Sequence, residues 1–214
     1  MSHSLKIVVG IDEVGRGPLA GPVTVCVVAC SQGIYTKLKR NKNLPPLGKD
    51  SKKLSPNERQ KYAELLKTLM SRTVLDTFSY KIINISNKII DAKGISFAIK
   101  FAISSGIKKL KLSPKTTHIF LDGGLKAPKE FQNQKTIIKG DEKEKIIAWA
   151  SILAKVSRDY LMIKLSKKYS KYDWKNNKGY GTKKHIENVK KFGISLLHRK
   201  TFCKKVIGVR NFDY

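Results

Sequence analysis

Residues 146–156, IIAWASILAKV, constrain the fold most, because they are apolar nearly all the way round a helix. A helix of this kind has to be buried rather than lie on a surface. Ala148, Ala150, Ser151 and Ala154 keep one side small, which predicts close packing against a neighbouring element. Hydrophobic residues make up 41% of the 214-residue chain, enough to bury a continuous core.

β-Branched runs bounded by Gly- and Pro-rich turns predict five short strands. They lie at residues 7–12, 23–29, 73–83, 117–121 and 136–139. Three strands, a helix, and then alternating strand and helix predict an α/β fold, a mixed five-stranded sheet flanked by helices. We expect one domain over residues 1–214, with a basic, helical C-terminal part from about residue 165 that includes a helix at 183–192.

Capping residues mark where two of the helices begin. Ser55-Pro56-Asn57-Glu58 combines an N-cap Ser, a Pro at the first helical position and a Glu three residues after the cap. Ser86 is expected to cap a longer helix that continues to about Leu110 and turns Phe97 and Phe101 inward. Residues 37–53 predict a Lys-rich loop, which is either simply solvated or in contact with phosphate.

The charge balance is strongly basic, since 44 Lys and Arg residues against 16 Asp and Glu residues give a net charge of +28. Such a field concentrates polyanions and favours nucleic acid as a partner, although a biased genome can also produce a Lys-rich composition. Cys26, Cys30 and Cys203 have no metal-ligand spacing and are expected to be buried thiols of a reducing cytosol. No apolar stretch is long enough for a membrane span and no basic leader is present, so we expect a cytoplasmic protein.

The acidic residues are scarce, and several stand where strands end or helices begin. Asp12 and Glu13 end the first strand, and Gly15-Arg16-Gly17-Pro18 supplies a turn that allows both to serve one site. Asp122 ends a hydrophobic strand, and Asp141 precedes the buried helix. Carboxylates in these places are typical of a site for hard divalent cations, although the Asp12-Glu13 pair could also be solvated acids in an exposed turn.

Two further alternatives concern the fourth acid. Asp141, followed by Glu144, also has the spacing of a helix N-cap, so it could cap the helix without binding a cation. Asp159 is the rival ligand, but it lies about 25 Å along the helix at ~1.5 Å per residue, too far from groups at the helix start.

Seven short motifs, in order, resemble those of bacterial ribonuclease HII over nearly the whole chain. They are GIDEVGRGPLAGPV at 10–23, DSKKL at 50–54, LDG at 121–123, KGD at 139–141, ASILAKVSRD at 150–159, KGYGT at 178–182 and HRKTF at 198–202. The resemblance implies a ribonuclease H-like fold and a monomeric endonuclease of the ribonuclease H class. Its substrates would be the RNA strand of RNA/DNA hybrids and single ribonucleotides in duplex DNA, nicked on the 5′ side to leave 3′-hydroxyl and 5′-phosphate ends.

The resemblance also assigns roles to individual residues. Two Mg²⁺ or Mn²⁺ ions would be held, with substrate bound, by the catalytic carboxylates Asp12, Glu13, Asp122 and Asp141. The substrate-binding residues would be Gly15, Arg16 and Gly17 around the 2′-hydroxyl, Tyr180 on the neighbouring sugar, and Lys52, Ser151 and Lys155 in motifs that contact phosphate. The chain departs from the family at Asn177, where His is frequent, and at Trp149, where a small residue is usual.

Two other functions remain open on the residues alone. A non-catalytic nucleic-acid-binding protein would explain the charge but not the acids at strand and helix ends, and a nucleotide triphosphatase would need a G-x-x-x-x-G-K-[ST] loop that the sequence lacks. His118 and His185 have no metal spacing and are expected to be surface or rim residues.

Overall fold

A computed structural model describes residues 6–45, 54–72 and 78–207 of the protein, with side chains as far as residue 204. Five strands form one sheet in the order β3-β2-β1-β4-β5. Their bounds are β1 Ile7–Val14, β2 Val23–Ser31, β3 Phe78–Ile85, β4 Thr117–Asp122 and β5 Gln134–Ile137. The β1-β2 and β2-β3 pairs are antiparallel and the β1-β4 and β4-β5 pairs are parallel, so the prediction of a mixed five-stranded sheet is confirmed.

Helices cover both faces of the sheet and form the C-terminal part. They are α1 Gln32–Lys39, α2 Pro56–Arg72, α3 Asn87–Lys93, α4 Ile95–Lys109, α5 Gly140–Lys143, α6 Lys145–Lys168, α7 Trp174–Asn177, α8 Lys183–Phe192 and α9 Lys200–Ile207. The predicted loop at 37–53 is wrong at its start, because α1 occupies residues 32–39 after a Ser31 cap whose hydroxyl accepts from the Ile34 amide. Residues 46–53 lie outside the described part of the chain.

The predicted start of α2 is confirmed by a reciprocal pair of hydrogen bonds. The Ser55 amide donates to the Glu58 carboxylate over 2.8 Å, and the Glu58 amide donates to the Ser55 hydroxyl over 3.2 Å. This capping box satisfies two amide donors that the first helical turn otherwise leaves without partners.

The single helix predicted from Ser86 to Leu110 is wrong, because Gly94, at φ +82°, ends α3 and begins α4. The inward orientation predicted for Phe97 and Phe101 is also wrong, since the two rings are 41% and 49% exposed and stack on each other. The buried face of α4 is instead its small and aliphatic side. At Gly106 of that face, an added Cβ would lie 2.6 Å from Val27 of β2.

The other face of the sheet is covered by α6, as the sequence predicts for a helix apolar on all sides. A Cβ added to Gly10 of β1 would lie 2.3 Å from the Ile146 carbonyl oxygen, so the helix crosses directly over the strand backbone. Trp149 is fully buried, with its ring centroid 5.8 Å from that of Tyr35 and 5.6 Å from that of Phe78. The close approach at Gly10 places the start of α6 against the middle of β1, two residues before Asp12.

Besides the hydrophobic cores on the two faces of the sheet, a third and smaller hydrophobic cluster joins the C-terminal helices to the C-terminal half of α6. It consists of Ala20, Met162, Tyr172, Trp174 and Val189. The three cysteines are buried free thiols, as expected. Within the described residues, no helix is both long enough and apolar enough to cross a membrane.

Candidate active site

The sequence-predicted site residues line one cavity of about 620 Å³ at the carboxyl ends of β1 and β4. Among them are Asp12, Glu13, Asp122, Asp141, Gly15, Arg16, Gly17, Ser151, Lys155 and Tyr180. Lys52 is the remaining predicted residue, and it lies outside the described part of the chain. Residues that are far apart in sequence therefore meet around one space.

The parallel pairing of β1 with β4 brings the first and third acids to the same sheet edge. Ile11 is opposite Leu121 in the register, so Asp12 and Asp122 each follow a paired residue. The Asp122 carboxylate accepts a hydrogen bond from the Gly140 amide over 2.6 Å, which ties the end of β4 to the start of α5. Asp141 is the next residue, so this bond holds the fourth acid at the same edge.

The structure does not place Asp141 at a helix cap. The residue before α5 is Lys139, and the residue before α6 is Glu144, while Asp141 lies in the first turn of α5. Asp159 is not among the residues that line the cavity, and its carboxylate is 2.9 Å from the Lys155 ammonium. The capping interpretation of Asp141 is therefore wrong, and Asp159 instead neutralises a cavity lysine.

Strand β1 continues to Val14 before the chain turns, two residues beyond its predicted end. Asp12 is buried and Glu13 lies at the rim, where its carboxylate is 3.7 Å from the Arg16 guanidinium. The Glu13 amide donates to the Asp12 carboxylate over 2.7 Å.

Burial and mutual repulsion dominate the electrostatics of these acids. Burial, followed by the negative charges of Asp122 and Glu13, raises the pKa of Asp12 well above its ordinary value, although a hydrogen bond from Ser151 lowers it. The pKa of Glu13 is raised by burial and by Asp122, against a lowering by Arg16. Clustered carboxylates of this kind favour a cation between them.

The carboxylate oxygens are the ligands that Mg²⁺ and Mn²⁺ prefer, so the donor set fits a hard divalent ion. As the side chains stand, no three His, Cys, Asp or Glu residues in the described ranges are grouped so that they could hold an ion.

Two buried arginines that the sequence analysis did not single out fix the Gly-rich loop, which is residues 15–22 and includes the Gly15–Gly17 segment. Arg199 donates to the carbonyls of Gly15, Arg16 and Gly21 over 2.7, 2.9 and 3.0 Å. Peptide bonds in the described chain are trans, so the amides that follow those first two carbonyls, on Arg16 and Gly17, point away from the guanidinium. Arg199 thereby sets the direction of two backbone donors in the loop.

Arg158 supports the same loop from α6. It donates to the carbonyls of Pro22, Lys178 and Ala20 over 3.1, 2.9 and 3.2 Å. A Cβ on Gly15, whose φ is +86°, would lie 2.2 Å from the Arg158 side chain. This close approach is the reason why glycine is needed at position 15.

Tyr180 also lines the cavity, and its ring lies beside the Arg158 side chain that packs against Gly15. Its ring is 39% exposed and lies 5.7 Å from the Arg158 guanidinium carbon. Asn177, which replaces a frequent family His, donates to the Tyr172 carbonyl over 2.7 Å and accepts from the Gly179 amide over 2.8 Å. Asn177 therefore fixes the turn that leads into Tyr180.

Arg59 also lines the cavity and was missed in the sequence analysis. It is buried in α2 and donates to the Leu54 carbonyl. The helical spacing in the sequence could have indicated this residue, because Arg59 lies on the same buried face of α2 as Ala63, Leu66 and Met70. A cation on the apolar face of a helix is unusual unless it has a polar role.

Comparisons with known proteins agree on one family. The family model for ribonuclease HII matches residues 9–205. The chain is 45% identical over 195 residues to the ribonuclease HII of Endomicrobium trichonymphae, covering 91% of this chain and 84% of that protein. The ribonuclease H2 crystal structure from Pyrococcus horikoshii has a TM-score of 0.69 at 25% identity, covering 94% of this chain and 97% of that one.

A more distant structure shares the fold. Bst-RNase HIII, solved in complex with Mn²⁺, has a TM-score of 0.67 at 18% identity and matches 96% of this chain and 71% of its own. The family model spans nearly the whole chain and includes the cavity residues named above. The chain belongs to the ribonuclease HII family.

Proposed function

We propose that this ribonuclease H hydrolyses the RNA strand of RNA/DNA hybrids and nicks duplex DNA on the 5′ side of a single embedded ribonucleotide. The observation that carries the proposal is the shared cavity, in which four carboxylates face the Gly15–Gly17 loop and Tyr180. Acids alone would suit many metal-dependent enzymes, but a loop of fixed backbone donors beside them suits recognition of a ribose.

Asp12, Glu13, Asp122 and Asp141 are the proposed ligands of two Mg²⁺ or Mn²⁺ ions. When bound, the ions would activate the attacking water and stabilise the leaving 3′-oxygen, as the P–O3′ bond breaks to give 3′-hydroxyl and 5′-phosphate ends. The Mn²⁺ complex of the distant Bst-RNase HIII is consistent with this choice of ion. The Ser151 hydroxyl donates to Asp12 and so holds that carboxylate in place.

The loop is the proposed reader of the 2′-hydroxyl, the group that distinguishes a ribonucleotide from a deoxyribonucleotide. Because Arg199 fixes the carbonyls of Gly15 and Arg16, the loop donors are oriented before substrate arrives. Tyr180 would pack on the neighbouring sugar, and Lys155 would contact a phosphate. One chain supplies all of these groups, and we propose that the enzyme is a monomer. We also propose that it acts in the cytoplasm.

The experiment is cleavage of a labelled DNA duplex that contains one ribonucleotide, beside an otherwise identical all-DNA duplex, in Mg²⁺ and in Mn²⁺. We expect a single nick 5′ of the ribonucleotide with a 3′-hydroxyl end, no cutting of the all-DNA duplex, and no cutting in EDTA. Equal cutting of both duplexes, or no cutting in either metal, would overturn the proposal.

A further inference from the structure

A second cavity of about 260 Å³ adjoins the candidate active site, and Arg16 lines both. Its other polar side chains come from the start of α4 and from the loop after β4, namely Ser96, Lys100 and Lys126. Buried aliphatic side chains of the same two segments form its floor. The cavity is therefore a lateral extension of the site beyond the Gly-rich loop.

Its lining is cationic, with three basic side chains and no acidic one. Arg16 has Glu13 of the first cavity at 3.7 Å, whereas Lys100 and Lys126 take part in none of the ion pairs found among the described residues. Both lysines are exposed. Lys100, Lys126 and Arg16 together give this cavity a positive potential, which favours the binding of an anion.

We propose that this cavity binds one backbone phosphate of the substrate duplex, close to but separate from the scissile phosphate. The inference rests on the proposed function and adds a second contact to it. A guanidinium fork and ammonium groups are the usual ligands of a phosphodiester, which supplies the missing negative charge. Because Arg16 belongs to both cavities, a strand held at the loop can continue directly into the second one.

Such a contact positions the duplex and has no part in bond cleavage. Phosphate contacts set register and orientation on a duplex without reading its sequence. Neutralising the two lysines should therefore weaken binding of the duplex.

The test compares K100Q/K126Q with K108Q/K109Q, which removes the same charge from exposed lysines at the far end of the same helix. Binding of the ribonucleotide-containing duplex is measured by fluorescence anisotropy in EDTA across a salt series. For K100Q/K126Q we expect affinity roughly five-fold lower than that of the control variant. The slope of log affinity against log salt should become shallower by about 0.9, as for one lost phosphate contact.

The phosphate itself is located by replacing single linkages near the ribonucleotide with neutral methylphosphonates. At one position the replacement should weaken binding to the wild-type protein but not to K100Q/K126Q, since the contact is already lost. Equal affinities for the two lysine variants, or no such position, would overturn the second contact. Failure of the wild-type protein to cut at the ribonucleotide would instead overturn the proposed function. Binding is measured in EDTA, where no cleavage is expected, so the test of the second contact does not depend on the test of the proposed function.

Discussion

His185 and His198 meet in the protein interior with their Nε2 atoms 3.2 Å apart. His185 Nδ1 lies 2.8 Å from the Tyr180 carbonyl, which can only accept, so this nitrogen carries the proton. His185 Nε2 then accepts from the Trp174 indole over 3.0 Å and from His198. His198 Nδ1 accepts from the Ser195 amide over 2.8 Å, so both imidazoles are neutral and the pair supports the backbone of Tyr180.

This pair makes the fold sensitive to acid. Burial, together with His185, lowers the pKa of His198 to about 3, and burial lowers that of His185. The unfolded chain binds a proton at each site near its ordinary pKa of ~6.5, so folding stability is lost as pH falls below that value. For His198 alone the expected loss is about 1.4 kcal/mol per pH unit between ~6.5 and the folded pKa.

The measurement is the free energy of unfolding against pH for the wild type and for His198→Asn, which retains an acceptor for the Ser195 amide. We expect a lower stability at neutral pH but a shallower fall toward pH 5 in the variant. His118→Asn, at an exposed imidazole, is the control substitution. A slope for His198→Asn as steep as the wild type would exclude this origin of the acid sensitivity.

Asp12→Asn should abolish cleavage and at the same time stabilise the metal-free fold. A neutral amide is a poor ligand for a hard cation. In EDTA at neutral pH, burial and the neighbouring acids raise the folded pKa of Asp12, so its charge opposes folding, and its removal should raise the melting temperature. The expected gain is about 2–4 °C for each kcal/mol of repulsion relieved. Substantial activity of the variant at saturating metal would remove Asp12 from the ligand set.

Tyr180→Ala should reduce turnover far more than affinity for the duplex. The ring is aimed at the sugar in the proposed function, whereas most affinity comes from lysines and arginines on phosphates. The matched control is Tyr160→Ala, which removes a 70% exposed ring from α6. The measurements are kcat and Kd for both variants on the ribonucleotide-containing duplex. If Tyr180→Ala lost only affinity, Tyr180 would belong to the general phosphate-binding surface instead.

The predictable features of the fold have short-range causes. Both hydrogen bonds of the Ser55–Glu58 capping box form between residues three positions apart. The five strands follow from local runs of β-branched residues. Asp122 and Asp141 could be assigned to one site because each stands at an element boundary beside glycine. The family motifs supplied the proposed substrate-binding residues, among them Tyr180.

The features that were wrong or missed depend on distant partners. His185 was expected at the surface, but it is buried by Trp174 and by His198, which is thirteen residues away. Phe97 and Phe101 were placed inward because α4 is apolar on more than one side, and the sequence does not say which side meets β2. The role of Arg199 depends on carbonyls more than 170 residues earlier in the chain, which no local pattern reports.

Arg199→Lys should reduce selectivity for the ribonucleotide, because an ammonium cannot reproduce the fork that holds the Gly15 and Arg16 carbonyls. Buried carbonyls that lose their donors cost about 1–3 kcal/mol of stability each. The readout is kcat/KM on the ribonucleotide-containing duplex, measured together with any cutting of an all-DNA duplex, which the wild type should leave intact. Arg72→Lys, at an exposed site, is the control. Wild-type kcat/KM with no cutting of the all-DNA duplex would show that the loop keeps its donors aligned without the fork.

Asp141→Asn and Asp159→Asn together test which acid is the fourth ligand. Asp141 lines the cavity beside the Asp122–Gly140 hydrogen bond, whereas Asp159 pairs with Lys155. Asp141→Asn should lose most cleavage activity and weaken binding of the second cation, measured by calorimetry. The melting temperature of each variant is measured alongside, so that a loss of the fold is not mistaken for a loss of the cation site. Asp159→Asn should keep most of its activity, and near-native cleavage by Asp141→Asn with loss in Asp159→Asn would reverse the assignment.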